Sequence, residues 1–61
     1  MEYKKGQVFL SWNGKTRIEI LSDPNDLGQI TLKEDDVIFY SRPKKFVDAV
    51  ININKAKLIN D

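Results

Sequence analysis

Twelve residues, DPNDLGQITLKE from Asp23 to Glu34, carry the densest pattern of oxygen donors in the chain. Set against a calcium-binding loop of that length, Asp23, Asn25, Gly28, Ile30 and Glu34 fall at positions 1, 3, 6, 8 and 12. The chemistry needs another side-chain oxygen at position 5, and Leu27 stands there. The flanks RIEIL and VIFY read as strands, where such a loop needs helices. The expectation is a turn closed by Gly28, with no metal site.

A second constellation is basic and aromatic. Trp12, Lys15 and Arg17 lie near one turn, and Tyr40, Arg42, Lys44 and Lys45 follow a later strand. Aromatic rings stack on bases while Arg and Lys track phosphates, which is how β surfaces grip single strands. The same residue types also dominate protein interfaces. The plainer alternative packs Trp12 over the domain and leaves the lysines solvated, where they discourage sheet aggregation. The acidic run Glu34-Asp35-Asp36 is expected at the same end of the sheet as the first turn, where it repels phosphate.

Catalytic chemistry has little to work with. The chain has no cysteine and no histidine, which removes thiolate nucleophiles, disulfides and the usual proton shuttle near neutral pH. A hydrolytic carboxylate pair needs a concave cleft, which 61 residues rarely build. Asp23, Asp26 and Asp48 read as turn or cap residues. No enzyme, metal or cofactor is expected.

Length and composition set the frame for these groups. Sixty-one residues make one domain with a modest core. Hydrophobic content of 41% beside 31% charged residues fits a folded chain. A net charge of +1 argues against a surface given wholly to nucleic acid. No apolar run reaches the roughly 18 residues of a membrane span, and MEYKKGQVF lacks a long apolar leader. A cytoplasmic location is the expectation.

The element that organises the rest is VFLSWNGKTRIEIL, Val8 to Leu21. Asn13-Gly14 between two β-rich runs predicts a hairpin with a two-residue type I′ turn. Strand one is expected over about Gln7 to Trp12 and strand two over about Lys15 to Ser22, with Phe9 opposite Ile18. One face then carries Phe9, Ile18 and Ile20. The other carries Val8, Leu10, Trp12, Leu21, Arg17 and Glu19. Apolar groups on both faces fit a bent sheet, a small barrel or a bulge. QITLK, Gln29 to Lys33, alternates with Ile30 and Leu32 inward. VIFYS, Val37 to Ser41, does not alternate, so either both faces are covered or one is a binding surface. Pro43 breaks that strand. The next segment, KKFVDAVININ, has both helical and strand periodicity. A short helix over Lys44 to Asn52 is favoured, followed by a closing strand over Lys55 to Ile59. The fold class is mainly β, in the order ββββ(α)β.

KKGQVFLSW, then a hairpin, a second hairpin and a short C-terminal element, resembles small Src-homology-like barrels. These include KOW and Tudor-like modules and short proteins of phages and mobile elements. The likeness covers residues 4 to 53 in strand spacing and the Lys5-Gly6 opening. A helix over 44 to 52 departs from the plainest version of that fold. The resemblance implies a barrel with a binding role, extending to phage or mobile-element regulators and inhibitors.

The functional expectation is a non-enzymatic module that docks on a protein partner through Trp12, Arg17, Tyr40 and Arg42. The alternative is a nucleic-acid-binding barrel using Trp12, Tyr40, Arg42, Lys44 and Lys45. An open edge at strand four or at Lys55 to Ile59 also allows a homo-oligomer. No membrane partner is expected.

Overall fold

The computed structural model describes residues 2–60. The elements are β1 (Val8–Leu10), β2 (Arg17–Ile20), β3 (Ile30–Glu34), β4 (Val37–Arg42), α1 (Lys44–Asn54) and β5 (Lys57–Leu58). The strands form one open antiparallel sheet in the spatial order β4-β3-β2-β1-β5. The expected mainly β architecture and the order ββββαβ hold, and of the two expected forms, a small bent antiparallel sheet or a barrel, the strands take the open sheet.

The first hairpin has the expected register, Phe9 opposite Ile18 and Leu10 opposite Arg17. Its turn is different. Gly14 has φ +73 while Asn13 has no positive φ, so a type I′ turn is excluded. The turn runs from Ser11 to Gly14, closed by the Gly14 N–H on the Ser11 carbonyl at 2.9 Å. Side chains complete the outermost ladder pair, where the Ser11 N–H bonds the Thr16 carbonyl at 2.9 Å. The Ser11 hydroxyl accepts the Thr16 N–H at 3.0 Å and donates to the Asn13 side-chain oxygen at 2.7 Å. The Asn13 oxygen also accepts the Lys15 N–H at 3.1 Å. This local network ends β1 at Leu10 and starts β2 at Arg17, so both strands are shorter than expected.

Ile30 and Leu32 point inward, as their alternation requires, and Glu34 belongs to β3 rather than to the turn. Asp35 takes the positive φ of that turn, at 52°. Between Ile30↔Arg42 and Leu32↔Phe39 the register shifts by one residue. The extra residue bulges β4 near Ser41, whose φ is also 52°. A bulge bends its strand and turns the following side chain toward the other face.

Helical spacing wins over alternation in KKFVDAVININ because the sheet needs a cover. Val47 and Ile51 are buried, and Phe46 and Val50 pack beside them on Phe9, Ile18, Ile20, Ile30 and Leu32. Each fully buried aliphatic or Phe side chain contributes about 1.5–3 kcal/mol. The helix runs two residues past the expected Asn52. Lys55 then adopts a left-handed conformation, φ 48° and ψ 43°, and ends it. The Lys55 N–H bonds the Asn52 carbonyl at 3.1 Å and the Ala56 N–H bonds the Ile51 carbonyl at 3.0 Å. This C-cap occupies Lys55 and Ala56, so the closing strand shrinks from Lys55–Ile59 to Lys57–Leu58.

Candidate functional site

The register sorts the strand side chains onto two faces. Val8, Glu19, Lys33 and Ile38 form one row across the sheet on the face away from α1. Arg17 and Leu10 form a neighbouring row on that face. Tyr40 follows Ile38 along β4, two residues on. Since α1 lies on the other side, Glu19, Thr31 and Lys33 are half-buried, whereas Ile38 is 40% and Tyr40 69% exposed.

The two edges of the sheet are built differently. β5 is two residues long, and beyond it the Asn60 side chain stands in for a strand. Its carbonyl oxygen accepts the Val8 N–H at 2.7 Å, and its amide donates to the Gly6 carbonyl at 3.1 Å. Ile59 also donates its N–H to the Val8 carbonyl, at 2.9 Å. At the other edge, β4 runs six residues. The Asp35 N–H bonds the Arg17 carbonyl and the Leu21 N–H bonds the Thr31 carbonyl. Those bonds turn Thr31 and Lys33 toward β2, so Leu32 and Glu34 turn toward β4. In an antiparallel ladder, Val37 and Phe39 then face β3 while the N–H and C=O of Ile38 and Tyr40 point outward. The hydroxyl of Thr31 accepts the Ser41 N–H at 3.1 Å, closing the bulge.

The residues singled out from sequence occupy three places. Trp12 is 74% exposed at the end of the first hairpin, its N–H on the Asn54 carbonyl at 3.3 Å. Packing of Trp12 over the domain is therefore excluded. Arg17 and Tyr40 share the outer face, but two strands and four residue positions put them about 16 Å apart. Arg17 lies 3.9 Å from Glu19, an exposed pair of little energetic weight. Arg42, past the bulge, falls on the helix side. Its guanidinium sits 5.8 Å from the Phe39 ring centroid and 5.2 Å from that of Phe46. Lys44 and Lys45 open α1, whose first turn has no acidic residue and no side-chain cap.

Trp12 meets the C-terminal end of α1, so the helix separates it from Lys44 and Lys45 by about 15 Å. The acidic end is where the sequence placed it. Asp35 accepts the Arg17 N–H at 3.0 Å, and Glu34 accepts from the Asn54 amide at 3.1 Å, beside the first hairpin.

The oxygens of the Asp23–Glu34 segment are used by backbone. Asp23 accepts the Lys5 N–H at 2.9 Å, and Asn25 accepts the Leu27 and Gln29 N–H groups at 3.0 and 2.9 Å. Asp23 and Glu34 lie at opposite ends of β3, about 13 Å of strand apart. Among the described residues no three His, Cys, Asp or Glu side chains converge on one point. No helix among them is long and apolar enough to cross a membrane.

Sequence reasoning passed over Ile38, which is exposed beside Tyr40 on the outer face, and Val37, which is exposed on the helix side. The signal was present in the unalternating VIFYS, which needs a covering partner on an edge strand. A scan against family models finds no match, and searches of curated proteins and of solved structures find none either.

Proposed function

We propose that this chain is a small non-enzymatic binding module of the cytoplasm that docks on a protein through β4 and the outer face beside it. One observation carries the reading. Ile38 and Tyr40 are 40% and 69% exposed on the outer face of a strand whose outward N–H and C=O groups have no strand beside them among the described residues. Exposed apolar side chains next to free backbone groups suit strand addition, in which the main chain supplies affinity and alternate side chains supply specificity. Arg17 on the same face and Arg42 at the end of β4 extend the surface with interface-prone side chains. The barrel resemblance of residues 4 to 53 points toward binding modules too, including phage or mobile-element regulators and inhibitors.

The test is capture of partners by the tagged chain from nuclease-treated lysate, beside Tyr40→Ala and Ile38→Lys variants. A protein retained at physiological salt and lost about tenfold or more in both variants is expected. Retention unchanged by both variants overturns the reading.

The competing nucleic-acid surface is favoured by the run Arg42, Lys44 and Lys45, exposed within four residues. Trp12 is not part of that surface, because it lies at the opposite end of α1. Binding that disappears with nuclease and falls steeply with salt would select this alternative.

A further inference from the structure

We infer that the partner at the β4 edge is a second copy of this chain, paired antiparallel about Phe39 so that one sheet runs through both copies. The inference rests on the protein-docking reading of β4 and names its partner.

The outward backbone groups set the register. Ile38 and Tyr40 present their N–H and C=O away from β3. A two-fold axis at Phe39 places Ile38 opposite Tyr40 of the second copy, and the reverse. Each N–H then donates to the facing C=O. Ile38 and Tyr40 of both copies come together on the outer face, covering apolar surface that one copy leaves exposed.

Charge supports the same orientation. Asp35 and Asp36 precede β4, and Arg42, Lys44 and Lys45 follow its bulge. Antiparallel pairing about Phe39 brings the acidic turn of each copy, Asp35 and Asp36, toward the basic segment from Arg42 to Lys45 of the other. A parallel arrangement would set like charges together. Between those ends, Val37 to Ser41 carries no charge and no proline, the usual protections of an exposed edge. The Ser41 bulge limits the pairing to a short stretch. At the opposite edge, Asn60 fills the ladder after the two residues of β5. One competent edge per copy closes the assembly as a dimer and gives no filament.

Sedimentation equilibrium from about 1 µM to about 1 mM tests this. A mass rising toward twice that of one chain is expected. Tyr40→Lys, at an exposed position, should return the monomer with unchanged thermal unfolding at low concentration. Asp36→Lys and Lys44→Asp, each reversing one end of that complementarity, should weaken pairing severalfold, while a 1:1 mixture of the two should recover it.

A monomer at every concentration, or a dimer indifferent to Tyr40→Lys, overturns the inference. A monomer that still captures a protein in a Tyr40-dependent way removes self-pairing and leaves the docking surface. A monomer whose capture ignores Tyr40→Lys removes both.

Discussion

The Tyr3 hydroxyl donates to the Asp48 carboxylate across 45 residues of sequence. This bond ties the lead-in segment to α1 over the closed side of the sheet. The Tyr3 ring is almost wholly buried and meets Phe9 edge-on, at 6.1 Å between centroids. Tyr3 is thereby part of the core, while Glu2, Lys4 and Lys5 beside it are exposed.

Replacing Tyr3 by Phe keeps the ring and removes the donor. Asp48 is left half-buried without that partner. The expected loss is about 1–3 kcal/mol, read as a lower urea midpoint at unchanged slope.

Alkaline pH acts on the same bond. Burial first, then the hydrogen bond and negative charge of Asp48, push the Tyr3 hydroxyl well above its ordinary value of 10.0. The fold therefore favours the neutral phenol. That contribution is complete below the unfolded value and is lost as pH rises through the folded one. The stability advantage of the natural chain over Tyr3→Phe should shrink above about pH 10. Urea titrations of both proteins across that range check it, and a constant gap would refute the assignment.

Lys55 sits in a left-handed conformation that costs a residue with a Cβ roughly 1–2 kcal/mol. Lys55→Gly should raise stability by about 1 kcal/mol with the helix end intact. A higher melting temperature at unchanged helical circular dichroism is the expected result.

Asn60→Ala removes the side-chain amide that continues the ladder beyond β5. Amide exchange at Val8 should accelerate, and stability should fall by about 1 kcal/mol. Slow exchange at Val8 in the variant would show that Ile59 alone holds the edge.

The register of the first hairpin was legible in the sequence, because alternation placed Phe9, Ile18 and Ile20 on one face. The turn type was not. Asn-Gly reports a preference for positive φ, but the Ser11 hydroxyl and the Asn13 amide offered the backbone other partners. KKFVDAVININ became a helix since four apolar groups at helical spacing met an uncovered sheet face, which periodicity alone does not reveal. Trp12, Arg17, Tyr40 and Arg42 were legible as candidates by type. Their separation was not, because lateral distance depends on strand order. A one-residue bulge sent Arg42 to the side opposite Tyr40.

The last strand has a kinetic consequence. Phe9 pairs with Ile18 nine residues away through a short hairpin, and with Leu58 forty-nine residues away through β5. Closing the longer loop costs about 1.5 kcal/mol more in chain entropy before any contact forms. The stretch from Val8 to Arg42 assembles by successive neighbours, whereas the pairing of Leu58 waits for nearly the whole chain. Pulse-labelled refolding should protect the Ile18 amide before that of Ile59, which bonds the Val8 carbonyl, so β5 joins the sheet last.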